Sequence, residues 1–405
     1  MPVLRDYIIK QSKASFKSLP LNELDIIAIN EIGYLSFDDL AGIRIDEKTE
    51  ISIKDIKKAT SLDCQKTIYN YLITKERLEL FEAMQGSQRF QDLALSHYVN
   101  EVDREFEKQF AAMVFTIPSI NHVQIVFRGT DDSVIGWKED FKLTYMSEIP
   151  AQRSAISYLS SYIGSHPSQE VFVTGHSKGG NLALYASCFL LPPFQAKIKK
   201  IYALDSPGLP EKLLQREAYK AVRRRLVIIR PQESIVGVML YCDVKPKVVK
   251  SLAYGLLQHK TCNWQVDPEG SLVTVPSQTE LSLSLEKTFK DWTKQLSKQD
   301  LKLVCDSFFD TLISSGITSL NAFSFDEKAF ATFFKVISSL RSIDQAKKII
   351  MLKSIRQLIH DYTGYRKRAV TKKIEKRMGH FLKKNTDKTV VREIIAAFFT
   401  PMFSA

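Results

Sequence analysis

The chain has 405 residues, 44% of them hydrophobic and 25% charged, an ordinary globular composition that excludes disorder and allows two domains or one large one. Its net charge of +12 is uneven: residues 281–405 hold 23 Lys and Arg against 12 Asp and Glu, residues 1–280 hold 34 against 33, so a near-neutral body precedes a basic tail. No run of about 18 uncharged apolar residues occurs, the first residues lack a basic-then-apolar leader, and five scattered cysteines (Cys64, Cys188, Cys242, Cys262, Cys305) show no C-x-x-C spacing, so the expectation is a cytoplasmic protein without disulfides, metal or cofactor.

Residues 1–86 read as a helical N-terminal extension. Leu24, Ile27, Ala28 and Ile32 recur at helical spacing, and Ile68, Tyr71, Leu72, Leu78 and Phe81 do so within a longer helix. The segment offers no catalytic cluster, and its expected role is packing against a sheet. The period then changes: Leu93–Val102, Gln109–Ile117 and His122–Phe127 are β-rich runs separated by charged or Pro-Ser-Ile-Asn turns. The third ends in Arg128-Gly-Thr-Asp-Asp132, followed by Trp137 and Asp140. A helix over Ala151–Gly164 returns the chain to a further strand.

That strand runs into Gly175-His-Ser-Lys-Gly179, a G-x-S-x-G pattern, with Gly180 following. A serine at its centre sits on a sharp strand-to-helix turn, where the glycines permit close backbone approach and the hydroxyl stays exposed. The helix starting at Lys178 aims unpaired N–H groups at the space above Ser177. The bland alternative is a tight turn bearing a solvent-facing serine. A readable strand before it and a helix after it, with Leu182, Ala183, Tyr185 and Ala186 on one side, favour a nucleophile.

Lys199–Leu204 reads as a strand, Glu211–Arg224 as a helix, Leu226–Ile229 as a strand and Val244–Leu252 as another. The apolar segment Ile235–Leu240 reads either as a lid or as a buried helix. Strands alternating with helices predict an α/β fold of the α/β-hydrolase kind, its mainly parallel sheet covered on both faces. Residues 1–280 are expected to form this domain and residues 281–405 a basic, all-helical C-terminal domain.

A serine nucleophile needs a base, and the base needs an acid to hold its tautomer. In this architecture the chain order is serine, acid, histidine. His259 alone follows a sheet strand downstream of Ser177, whereas His97, His122 and His166 precede it and His380 lies in the tail. For the acid, Glu233 lies in the loop after Leu226–Ile229, one strand before the histidine. Asp205, at the end of the strand after the serine turn, is the alternative acid, and Asp243 is a weaker competitor.

Taken together, Phe127-Arg-Gly-Thr130 with Trp137 and Asp140, Gly175-His-Ser-Lys-Gly-Gly180, Pro231-Gln-Glu-Ser-Ile-Val-Gly237, Gly255-Leu-Leu-Gln-His259 and Trp264 resemble a bacterial family of uncharacterised α/β hydrolases related to class 3 lipases. The resemblance spans about residues 5–270. It implies a serine hydrolase with Ser177, Glu233 and His259 as the triad, and an oxyanion hole from the backbone of Thr130 or Asp131 and of Lys178. Related lipases carry Asp at the acid position and an uncharged residue after the nucleophile, so Glu233 and Lys178 depart from the pattern.

The expected substrate is a carboxylic ester cleaved through an acyl-enzyme, with glycerolipids and lysophospholipids as candidates. An acyltransferase, thioesterase or amidase would use the same residues, and the non-enzymatic alternative is a hydrolase-like scaffold binding a partner or membrane through its tail. Between Tyr365 and Lys384 nine basic residues face a single Glu375. A solvated helix face is the first reading; contact with an anionic membrane through 365–384, at the inner face, is the second. Nucleic acid is disfavoured because no recognition motif accompanies the charge.

Overall fold

The computed structural model describes residues 1–35, 37, 49–59, 75–131, 133–314, 360 and 364. Among the described residues, the N-terminal part contains four helices, α1 (Leu4–Lys10), α2 (Glu23–Ile32), α3 (Ile53–Ala59) and α4 (Lys75–Gln85), and a two-residue strand, β1 (Ile51–Ser52). The helix expected through Ile68 and Phe81 is described only from Lys75. The three β-rich runs become β2 (Ala94–Asp103), β3 (Lys108–Ile117) and β4 (His122–Phe127), which pair antiparallel in turn. After α5 (Val134–Lys142) and α6 (Pro150–Ser165) come β5 (Val171–His176), α7 (Lys178–Phe189), α8 (Pro192–Gln195), β6 (Ile198–Leu204), α9 (Glu217–Arg223), β7 (Leu226–Pro231) and β8 (Lys247–Val249). From β4 to β8 every pairing is parallel, and the eight strands lie side by side in the order of the chain.

The α/β expectation holds, with an antiparallel meander leading into the parallel part. Side chains alternate across the strands, as the pleat requires. In β4, Val123, Ile125 and Phe127 join one core with Leu159 of α6, Leu182 of α7 and Val222 of α9, while Val126 points into a second core with Ile27, Ile29 and Ile32 of α2, Phe81 of α4 and Trp264. One face is therefore covered by the crossover helices. The other is covered by the N-terminal helices, which is why α2 is buried along almost its whole circumference.

Two elements are shorter than expected. The helix over Glu211–Arg224 splits into a 3-10 turn, Glu211–Gln215, and α9, because Arg216 between them is extended at φ −75° and ψ 143°. The strand over Val244–Leu252 contracts to β8, since beyond it the Lys250 and Leu252 amides bond to Val273 and Asn263 at 2.9 and 2.8 Å. The Ile235–Leu240 segment forms turns rather than a helix, and Met239 is tied through its carbonyl to the Gly208 amide at 2.9 Å.

Beyond the sheet, α10 (Glu280–Gln295) and α11 (Lys298–Ser314) pack on α5. Trp292, Leu301, Cys305 and Phe309 enclose Val134 and Phe141, and Lys138 of α5 reaches Asp310 of α11 at 2.5 Å. The basic stretch 365–384 lies outside the described residues. Among the described residues no helix is long and apolar enough to cross a membrane.

Candidate active site

The serine turn has the geometry that its glycines demand. Ser177 adopts φ 58° and ψ −134°, a strained conformation for a residue with a side chain. A Cβ on Gly175 would stand 2.1 Å from the Gly179 carbonyl group, and one on Gly179 would stand 2.0 Å from the Phe127 oxygen. No other residue lets strand, turn and helix approach this closely. Across residues 173–188 every residue is buried except Ser177, which is half-exposed. The fold thus presents one hydroxyl from an otherwise sealed turn.

Adjacent β6 is in register with β5, pairing His176 with Leu204, so Asp205 is the counterpart of Ser177 one strand over. Asp205 also has a positive φ, 39°, and is fully buried. Its Oδ2 meets Nδ1 of His259 at 2.7 Å, while Oδ1 accepts from Ser234 Oγ at 2.5 Å and from the Gly237 amide at 3.2 Å. A carboxylate with three donors is fixed in orientation, and it dictates that Nδ1 of His259 carries the ring proton.

Glu233 does not reach the histidine. Its Oε2 accepts instead from the Gly255 amide and from Gln258 Nε2, both at 3.0 Å. The acid expected at Glu233 is therefore replaced, in the geometry of the site, by the alternative Asp205. Glu233 braces the 3-10 turn Gly255–His259 that carries the histidine, and its neighbour Ser234 completes the shell of Asp205. Asp243 lies elsewhere, paired with Arg223 at 2.8 Å.

Opposite the serine, the chain leaving β4 passes so close that a Cβ on Gly129 would be 3.0 Å from the Ser177 Cβ. Thr130 follows, buried, its hydroxyl donating to Asp140 Oδ2 at 2.5 Å. Asp131 accepts from the amide of Ser133, the N-cap of α5, at 3.0 Å. Lys178, the first residue of α7, has no intrahelical partner for its N–H. Its side chain turns inward: Nζ donates to the Gln109 carbonyl at 2.9 Å, to Gln109 Oε1 at 2.7 Å and to Glu139 Oε2 at 3.0 Å. The unexpected charge after the serine is thus a fully buried structural pair with Glu139 rather than part of a polar pocket. Burial pushes the Asp140 carboxyl up to about 6, against the opposing Lys178 charge and the Thr130 hydrogen bond.

Sequence reasoning missed the polar groups beneath the histidine loop. Glu31 of α2, fully buried, is ion-paired with Arg77 of α4 and accepts from the Thr261 hydroxyl, two residues past His259. Tyr34 donates to His176 beside the serine. The signal in the chain was the presence of polar Asn30, Glu31 and Tyr34 among the apolar residues of 26–35. No three His, Cys, Asp or Glu side chains gather as a metal would require, among the described residues.

Three solved lipase structures are similar at low level. The Rhizomucor miehei lipase–propeptide complex is 18% identical over 42% of this chain, with a TM-score of 0.29, and the chain spans 58% of its length. The triacylglyceride lipase of Rhizomucor miehei is 16% identical over 56% of this chain and 82% of its own, at 0.32. For the lipase of Rhizopus microsporus var. chinensis the values are 15%, 65%, 84% and 0.32. Comparison with curated proteins finds no match. The Mbeg1-like family model matches residues 84–310, from the end of α4 through the serine turn, Asp205 and His259 to α11, so the chain belongs to the Mbeg1-like family.

Proposed function

We propose that the protein is a serine hydrolase that cleaves carboxylic esters through an acyl-enzyme. The observation that carries this reading is the 2.7 Å contact between His259 Nδ1 and buried Asp205, one strand from the strained turn that presents Ser177. Asp205 keeps the proton on Nδ1, leaving Nε2 to take the proton of the Ser177 hydroxyl as Oγ attacks the ester carbon. The carbonyl electron pair moves onto oxygen, and the backbone N–H groups of Lys178 and of Thr130 or Asp131 are the proposed donors to that oxyanion. The Thr130–Asp140 bond and the Lys178–Glu139 pair hold those two segments in place. Collapse of the intermediate expels the alkoxide, which takes the proton from His259. Water then enters by the same route, with His259 as base, and releases the acid.

Exposed apolar residues near the proposed base support an acyl-bearing substrate. Leu252, Tyr254 and Leu257, in the segment leading to His259, are 46%, 86% and 51% exposed. These apolar side chains suit an ester with a hydrocarbon arm, a glycerolipid or lysophospholipid among them.

The test is labelling by a fluorophosphonate probe, with hydrolysis of p-nitrophenyl esters of increasing chain length alongside a thioester and an amide. Ser177→Ala is expected to lose labelling and hydrolysis together. Full labelling of that variant would sink the reading; preference for the thioester or amide would move the substrate class and keep the chemistry.

A further inference from the structure

Directly beneath the proposed base lies a second histidine that the mechanism above does not use. His176, 2% exposed, is the last residue of β5, and its ring lies 4.3 Å from that of His259. Its Nε2 is 2.7 Å from the main-chain oxygen of His259, and its Nδ1 is 2.6 Å from the hydroxyl of Tyr34. The partners fix the protons. A carbonyl only accepts, so Nε2 carries the hydrogen; Nδ1 is then an acceptor and Tyr34 the donor. The His176 carbonyl, at 3.2 Å from the same hydroxyl, is the more distant acceptor for its single proton. The result is a directed chain, Tyr34 to His176 to His259.

Each member is held in the protonation state this chain needs. Burial drives the His176 imidazole well below its usual value, helped by the neighbouring His259 and Arg77, so it stays neutral under a base that becomes cationic in the reaction. Burial likewise pushes the Tyr34 phenol far above its ordinary range, so it keeps its proton. Tyr34 is itself fixed. The Arg77 guanidinium lies 4.0 Å over its ring, and its hydroxyl occupies the space that a Cβ on Gly129 would need, at 2.3 Å. Glu31 grips the other end of the same loop through Thr261 and the Cys262 thiol. Tyr34, Glu31 and Arg77 all lie before residue 84, outside the segment that the family model matches.

We propose that Tyr34 and His176 are positioning residues that hold the main chain of His259, and so the imidazole, in register with Ser177, making the N-terminal helices part of the catalytic apparatus. The inference rests on the serine-hydrolase reading for its rate effects and stands on the hydrogen-bond geometry for the rest. A displacement of the base by about 1 Å costs on the order of 100-fold in rate, which sets the size of effect that such a device controls.

The experiment uses the full chain with Tyr34→Phe, His176→Gln and His176→Leu. Three quantities are read: kcat and KM on a p-nitrophenyl ester, the melting temperature, and the downfield Nδ1 proton of His259 against Asp205 by NMR, which needs no turnover. Tyr34→Phe is expected to keep KM and the melting temperature, lower kcat about tenfold, and shift or broaden the downfield proton. His176→Gln retains a donor toward the His259 carbonyl and should keep more rate than His176→Leu at equal stability. Unchanged kcat and an unchanged downfield proton in Tyr34→Phe overturn the proposal and leave Ser177 labelling intact. Equal rate loss in His176→Gln and His176→Leu, tracking loss of folded protein, also overturns it, in favour of a purely structural role. A shifted downfield proton in a protein whose wild type resists the fluorophosphonate supports the positioning and sinks the hydrolase reading alone.

Discussion

Two fully buried ion pairs flank the site, one on each face of the sheet, and they are built differently. Lys178–Glu139 lies on the crossover-helix face, where a compact ammonium is surrounded by three oxygen acceptors from β3 and α5. Arg77–Glu31 lies on the N-terminal face, where the carboxylate is the hub and collects a guanidinium, a hydroxyl and a thiol, the last two from the loop after His259. The first pair ties the start of α7 to α5 and β3, 39 and 69 residues upstream. The second ties the loop after His259 to α2, 230 residues upstream, and through it to α4. A buried pair is weak evidence for stability in itself, because desolvation offsets its attraction. What differs here is the element each one holds: the proposed oxyanion segment in one case, the loop of the proposed base in the other.

The largest expected effect sharpens what the second pair is there to hold. Asp205→Asn keeps shape but loses command of the His259 tautomer, and kcat should fall roughly 10^3- to 10^4-fold. Glu233→Gln, which only loosens a brace of the same loop, should cost less than about tenfold, the scale of one or two ordinary hydrogen bonds. Steady-state kinetics on one ester decides between them, and the reverse ranking returns the acid to Glu233.

Breaking either pair leaves a charge buried alone, so Lys178→Met and Arg77→Met should each destabilise the fold by roughly 3–5 kcal/mol, read from urea midpoints. The comparison predicts where they differ. Amide exchange should quicken over residues 128–140 and 178–182 in Lys178→Met, and over 255–263 in Arg77→Met. Identical exchange maps would mean that the two pairs merely stabilise one body.

The smallest effect concerns Asp140, next to the first pair. Its folded value of about 6 lies above its ordinary 3.8, so the folded state holds a proton there that the unfolded chain releases between about pH 4 and 6. The contribution of Asp140 to stability is therefore greatest below pH 4 and declines as pH rises to 6, by at most about 3 kcal/mol. Asp140→Asn should flatten that decline in a pH series of melting temperatures, with Thr130 still able to donate to the amide oxygen.

The serine turn and the three β-rich runs after residue 90 were legible because their signals are local: glycines where backbones touch, and alternation of period two. Asp205 and Glu233 were not separable, since both follow the serine and precede the histidine. Only the register of His176 with Leu204 places Asp205 beside Ser177. The N-terminal face was legible as packing and illegible as chemistry. Periodicity marks the apolar stripe of α2 through Leu24, Ile27, Ala28 and Ile32, yet Asp25, Asn30 and Glu31 are as buried as that stripe, and nothing in a helical repeat announces a carboxylate whose partner lies beyond residue 260.

The strands that lie in chain order carry a temporal consequence. A sheet whose neighbours are consecutive can be laid down strand by strand as the polypeptide leaves the ribosome, each strand pairing with the one made just before it. The N-terminus, however, waits for a very late arrival: Val3 bridges to Gln265, and the Val266 amide bonds to the Pro2 carbonyl at 2.9 Å. That closure lies next to Trp264, whose indole N–H donates to the Gln258 carbonyl at 2.9 Å, so the segment carrying His259, the proposed base, is expected to be seated after the serine turn. Nascent chains should therefore be chemically silent until synthesis has passed residue 266. Pulse-labelling exchange would register this as protection of 171–176 preceding protection of 255–266.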